Sequence, residues 1–108
     1  MTITRQDLED AARAAGIEIY FREDRGQMPP ADRCCHAKTV TPWSPATNPA
    51  DSFDLAMKCG IDIHPSAGEV AYMEPPGILV VMKFTPHNMQ ETCEAIALAA
   101  AEMWRNRK

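Results

Sequence analysis

Residues 78–82, Ile-Leu-Val-Val-Met, are apolar at every position and show none of the alternation expected of a half-buried strand. A strand of this composition is expected where both faces of its sheet are covered, so the segment predicts helices on both sides. Its neighbours read as strands of the same sheet. Glu69 to Glu74 forms one, after a Pro65-Ser66-Ala67-Gly68 turn and before a Pro75-Pro76-Gly77 turn. Ile61 and Ile63, alternating with Asp62 and His64, form another. Connections this short predict an antiparallel meander, with the last strand running from Ile78 to Phe84.

Three helices are expected around it. Thr4 is a candidate N-cap, with Asp7 at the third helical position and Ile3 placed to pack on Leu8. Leu8, Ala11, Ala12 and Ala15 give that helix one narrow small-residue stripe, and Gly16 stops it. The second helix starts at Asn48, with Pro49 at the first helical position and Asp51 at the third; its predicted buried stripe is Phe53, Ala56 and Met57, and Gly60 ends it. The third begins near Asn88, with Glu91 completing a capping box, and carries Met89, Cys93, Ile96, Ala97, Ala100 and Trp104 on one face.

Ile17, Ile19 and Phe21 alternate with Glu18, Tyr20 and Arg22, as in a half-buried strand. Ala-Gly-Ile-Glu-Ile at 15–19 is thus echoed by Cys-Gly-Ile-Asp-Ile at 59–63. Duplication would produce such an echo, but helix-stop chemistry explains it more economically, because an isoleucine just past the glycine packs back on the last turn. From Glu23 to Thr47 there is no sustained period, and Pro29, Pro30, Pro42 and Pro45 remove backbone donors. A long loop is expected there, with a short edge strand at 37–40. The 108 residues suit one core, so a single domain over 1–108 is predicted. Its class is α+β: an α/β/α sandwich with an antiparallel sheet of about four strands covered by three helices, in the order α-β-loop-α-β-β-β-α.

The stretch Trp43-Ser44-Pro45-Ala46-Thr47-Asn48-Pro49-Ala50-Asp51-Ser52-Phe53-Asp54-Leu55-Ala56-Met57-Lys58-Cys59-Gly60-Ile61 resembles the core of small phage and prophage proteins with a phage ABA sandwich domain, NinX-like proteins among them. Thr92-Cys93-Glu94-Ala95-Ile96 and Ala99-Ala100-Ala101-Glu102 resemble the last helix of that family. The resemblance covers residues 43–64 and 90–105, about half the chain, and residues 20–42 depart from the family pattern most. It implies an α/β/α sandwich and a phage origin. It implies no activity, because the family as a group has no known function.

Candidate chemistries are few. Cys34, Cys35 and His36, with Cys59, His64 and His87 elsewhere, are the residue types of a zinc site, but no C-x-x-C or H-x-x-x-H pair would hold the ion locally. Cys35 with His36 also has the composition of a thiol nucleophile and base, although neighbours in an irregular loop often point apart. Cys34 and Cys35 are poor partners for each other in a disulfide, since a bridge between adjacent residues is strained. Asp51 with Asp54, and Asp62 with Glu69, are nominal carboxylate pairs. Asp51 has a capping role, and Asp54 and Asp62 fall on expected solvent faces. No phosphate loop, nucleophile elbow or dinucleotide fingerprint occurs. Trp43, between Pro42 and Pro45, is a candidate interaction residue, since aromatic side chains dominate interface hot spots; a tryptophan just before a helix also commonly packs beneath it.

The net charge of −4 argues against general nucleic-acid binding, which needs clustered cations. Arg105, Arg107 and Lys108 at the end of the last helix are expected to neutralise its C-terminal partial charge. No apolar run approaches the ~20 residues that span a bilayer, and Met1-Thr2-Ile3-Thr4-Arg5 has no signal-peptide character, so a cytoplasmic location in the host is expected. The leading expectation is a non-enzymatic phage accessory protein that binds a host or phage protein or itself, without cofactor. The alternative is a small metal- or thiol-dependent enzyme using the Cys34-Cys35-His36 segment.

Overall fold

A computed structural model of the chain describes residues 3–21, 34–36, 41–74 and 77–106. The fold is α+β, with three helices and antiparallel strand pairing throughout the described residues. Helix α1 (Arg5–Ala15) leads into strands β1 (Ile19–Phe21), β2 (Cys34–His36) and β3 (Thr41–Pro42). Helix α2 (Pro49–Cys59) leads into β4 (Asp62–His64), β5 (Glu69–Glu74) and β6 (Ile78–Lys83), and helix α3 (Met89–Asn106) closes the chain.

Among the described residues the strands form two three-stranded sheets, ordered β1-β2-β3 and β4-β5-β6, where one sheet of about four strands is expected from the sequence. The long loop expected at 23–47 therefore contains two strands, with Tyr20 opposite Cys35 and Cys35 opposite Pro42. Strands of two and three residues are too short to display a period, and partners elsewhere in the chain define them. Pro42 is tolerated because β3 is a sheet edge. Residues 37–40, expected to be an edge strand, lie outside the described residues.

The echo between 15–19 and 59–63 is structural. Gly16 and Gly60 both adopt the left-handed conformation. The following N–H groups, of Ile17 and Ile61, reach back to the carbonyls of Ala12 (2.8 Å) and Ala56 (2.9 Å). Each closure is the six-to-one hydrogen bond that satisfies a helix end, and it seats a buried isoleucine against the core. The equivalence continues past the helix ends, since each helix is followed by a three-stranded antiparallel sheet.

All three helix starts use an acidic side chain, in two different ways. Thr4 and Asp7 form the expected capping box on α1. At α2 the Asn48 side chain accepts from Ala50 N–H (2.9 Å), while Asp51 reaches further back and accepts from Ser44 N–H (2.9 Å). Asn88 likewise accepts from Glu91 N–H (3.0 Å), and Glu91 accepts from Thr85 N–H (3.1 Å) and its hydroxyl. The acids are released for this longer reach because the N-cap N–H groups have other partners: Asn48 donates to the Ser44 carbonyl and Asn88 to the Thr85 carbonyl. Ser44 and Thr85 each precede a proline, so both connections enter their helix through the same extended cap.

Helix α3 is the centre of the fold. It packs along α1 and α2 and lies on β5. Its alanines at 95, 97, 99, 100 and 101 are buried together with Cys93, Ile96 and Met103, which is coverage on more than one face. Beneath it, Val70 and Tyr72 of β5 are buried, with Ile63, Val80 and Met82 of the flanking strands partly so.

Apart from small Ala71, which is buried between its neighbours, the opposite face of this sheet is open, which corrects the expectation for residues 78–82. β6 is an edge strand, and Ile78, Leu79 and Val81 are 62%, 60% and 40% exposed. Met73, opposite Leu79 on β5, is also exposed. Uniform apolarity predicts double coverage, yet only the even-numbered positions 80 and 82 pack on the core, and Ile78 lies beyond it. The buried stripe of α2 is also rotated from the expected one. Ser52, Leu55 and Ala56 are buried, whereas Phe53 is 43% and Met57 85% exposed. Small Ser52 and Ala56 allow the close approach to α3 that a Phe53–Met57 face would prevent.

Candidate functional site

Phe53 and Met57 stand one turn apart on the exposed side of α2, and Phe53 forms one wall of an apolar cleft of about 230 Å³. Among the described residues the rest of its lining comprises Ile63 of β4, Pro65, His87, and Met89 and Thr92 of α3. The cleft exists because two connections are laced together beneath it. Gly68 donates to the Pro65 carbonyl (3.2 Å) and accepts from Phe84 N–H (2.8 Å), and His87 N–H donates to that same Pro65 carbonyl (3.1 Å). His87 is held at φ 58°, the single positive-φ non-glycine position among the described residues. Histidine is among the residues that enter this region more readily than most.

Gly68 is fixed by space as well as by conformation. At φ +67° a Cβ there would meet the Phe84 carbonyl oxygen at 2.4 Å and the Pro86 ring at 3.0 Å. The 65–68 turn can approach the 84–87 connection only without a side chain, and this approach sets the position of His87 at the cleft.

The polar groups around the cleft are mostly engaged. Thr92 is buried and its hydroxyl donates to the Asn88 carbonyl (2.7 Å). Glu91, on the same first turn of α3, has its pKa lowered by the backbone and hydroxyl hydrogen bonds from Thr85. Gln90 Nε2 donates to the Ala46 carbonyl (3.1 Å), tying the entry of α3 to the turn before α2. The lining offers an apolar slot with one imidazole at its edge. Its volume is below the roughly 300–1,000 Å³ of small-molecule sites and suits a single apolar side chain.

A second, larger depression of about 670 Å³ runs along α1 and β1 between Arg5, Glu9, Arg13 and Tyr20. Three of its charged side chains are paired within the chain, Arg5 with Glu9 at 3.5 Å and Arg13 with Asp10 at 4.0 Å, and Glu18 is exposed at its rim. Among the described residues its aliphatic lining is Ala12, Ile17 and Ile19, none of them exposed as Phe53 and Met89 are.

The residues singled out from sequence are scattered. Cys34, Cys35 and His36 form β2 rather than part of an irregular loop, opposite Phe21, Tyr20 and Ile19; their side chains lie outside the described residues. His64 is exposed on β4, in the other sheet, opposite Glu69. Cys59 is half-buried at the end of α2, and Cys93 is a buried thiol on α3. Among the described residues no three His, Cys, Asp or Glu side chains gather as metal ligands. Asp54 pairs with Lys58 (3.0 Å) and Glu69 with Lys83 (3.5 Å), both as surface contacts rather than as carboxylate pairs. Trp43 is 2% exposed and belongs to the core, which is the packed reading of a tryptophan just before a helix rather than the interaction one. Its Nε1 is buried and has no hydrogen-bond partner among the described residues.

The side chains that mark this surface are ones the sequence places in buried stripes: Phe53 and Met57 on α2, Met89 on α3. The competing stripe Ser52-Leu55-Ala56-Cys59 is equally compatible with helical spacing, and it is the signal that puts Phe53 and Met57 outside. Among the described residues no helix is long and apolar enough to cross a membrane. Searches against protein-family models, curated proteins and solved structures find no match.

Proposed function

We propose that this chain is a phage accessory protein that works by binding another protein in the host cytoplasm, with the α2–α3 cleft taking an apolar side chain of its partner. The observation that carries the reading is the exposure of Phe53 and Met89 on either side of one apolar slot, with exposed Met57 a turn away. Large apolar side chains grouped at a concave surface are characteristic of protein contacts, and methionine adapts to irregular partners. The phage kinship rests on the resemblance of residues 43–64 and 90–105. It draws nothing from the layering, because β6 lies at a sheet edge.

A photo-crosslinking residue at position 57 tests this reading in phage-infected cells, with position 13 on α1 as the control. A discrete adduct from position 57, absent from position 13 and lost when Met89→Glu is added, is the expected result. Adducts that are equal from both positions, or that survive Met89→Glu, would show that the cleft is not the binding surface.

A further inference from the structure

The two edges of the β4-β5-β6 sheet are built differently. β4 is three residues long, exposes Asp62 and His64, and runs into Pro65, the usual protections of a sheet edge. β6 is six residues long and has no proline, and its single charged residue is Lys83 at the end. Long, apolar, unprotected edges are templates for another strand, because a row of backbone N–H and C=O groups is left without ladder partners.

We propose that β6 pairs antiparallel with β6 of a second copy, centred on Val80, to make a continuous six-stranded sheet. The choice of a second copy follows from the sequence of the strand itself. An antiparallel pair related by a twofold axis normal to the sheet keeps the helix-covered faces on one side, so odd residues must meet odd residues and even must meet even. Centring on Val80 places Leu79 opposite the second copy's Val81, Ile78 opposite its Met82, and Val80 opposite its own equivalent. Every position of the 78–82 run then meets an apolar side chain. The two Lys83 residues fall at opposite ends of the pairing, so no like charges face one another. The exposed Leu79 and Val81 gain cross-strand neighbours, and Ile78, now 62% exposed, packs beside Met82 at the edge of the core.

This inference rests on the reading that the chain acts through protein contacts, but it uses a surface separate from the α2–α3 cleft. A chain that dimerises without using the cleft, or uses the cleft as a monomer, distinguishes the two. A six-residue edge is small beside the ~800 Å² per partner of a standard interface, so dimerisation is reversible and concentration-dependent.

The test is sedimentation velocity of the full chain across a concentration series, with two double variants at solvent-exposed positions. One is Leu79→Lys with Val81→Lys, the other Leu79→Glu with Val81→Glu. Wild type is expected to move from monomer to dimer as concentration rises. Each variant alone should weaken dimerisation at least about tenfold, because lysines or glutamates then face their own kind. The 1:1 mixture of the two variants should recover a heterodimer that loosens with added salt, since the lysine at position 79 of one copy then faces the glutamate at position 81 of the other across the axis. Circular dichroism of each variant reports retained folding. A wild type that stays monomeric throughout, a dimer that persists in both variants, or a mixture that fails to associate while both partners are folded, each overturns the proposal.

Discussion

Arg105 on the last turn of α3 donates from Nε to Asp10 Oδ2 of α1 at 2.8 Å, across a sequence separation of 95 residues. The same guanidinium donates through Nη2 to Asp7 Oδ1 at 2.5 Å and through Nη1 to Glu102 at 3.1 Å. Asp7 thereby serves two helices at once, because its other oxygen accepts from Thr4 N–H at the start of α1. Side chains of Asp7 and Asp10 are only 10% and 4% exposed, and such burial of two carboxylates requires a cation beside them. Sequence position alone assigns Arg105 to the C-terminal partial charge of its own helix; in the structure it clamps α3 to α1.

Arg105→Ala is therefore expected to destabilise the fold by about 1–3 kcal/mol. The value is below the ~3–5 kcal/mol of a fully buried pair because solvent reaches part of the guanidinium. Arg105→Lys should recover only part of the loss, since an ammonium cannot present the fork that meets Asp7 and Asp10 together. Urea unfolding of the three proteins measures this. A lysine variant as stable as wild type would show that charge alone, without the fork, holds the helices.

Acid should weaken the same contact. Burial acts to raise the pKa of Asp7, but hydrogen bonds from Thr4 N–H, from Arg105 and from the Thr4 hydroxyl outweigh it, and the net position is below the ordinary 3.8. Between the folded and unfolded values the unfolded chain binds more protons, so the stabilisation is complete above the unfolded value and is lost as pH falls through the folded one. Glu91 is shifted in the same direction by Thr85. Unfolding midpoints are expected to decline below about pH 4, with a shallower decline in Arg105→Ala. Equal slopes in the two proteins would remove Arg105 from the account.

Gly68 and Gly60 allow a comparison between crowding and conformation. Both have positive φ, but a Cβ at Gly60 meets nothing within 4 Å, while one at Gly68 strikes the Phe84 carbonyl. Gly60→Ala should cost about 1–2 kcal/mol, the conformational penalty alone. Gly68→Ala should cost more, and should shift the His87 imidazole resonances because Pro65, Gly68 and Phe84 share the hydrogen bonds that seat that turn. Equal losses in thermal unfolding would mean that the two connections separate easily.

The chain is legible from its sequence where local chemistry decides the outcome. The Thr4–Asp7 box, the Asn48-Pro49 start, the Gly16 and Gly60 stops and the 69–83 hairpin are all set by residues within a few positions of one another. The remainder depends on partners far along the chain. Three-residue β2 has no period of its own, and the Arg105–Asp10 pair leaves no mark in either helix read alone. For β6, hydrophobicity reports what a side chain prefers, and an edge that is open in one copy reads the same as a strand covered on both sides. The cleft is hidden for a related reason, since Phe53 and Met57 match helical spacing as well as the residues that are actually buried.

That ambiguity on α2 can be settled by truncation. Leu55 is fully buried, so Leu55→Ala should cost about 2–5 kcal/mol through lost contacts and the cavity left behind. Met57, 85% exposed, should change stability by less than about 0.5 kcal/mol when cut to alanine. Ser52 gives the sharper test: its hydroxyl is buried and has no hydrogen-bond partner among the described residues, so Ser52→Ala removes an unsatisfied polar group and is expected to be neutral or stabilising. A helix rotated to bury Phe53 and Met57 would reverse the first two results, with Met57→Ala costly and Leu55→Ala mild. Denaturant titrations of the three variants decide between these orientations, and with them whether Phe53 and Met57 are available to a partner at all.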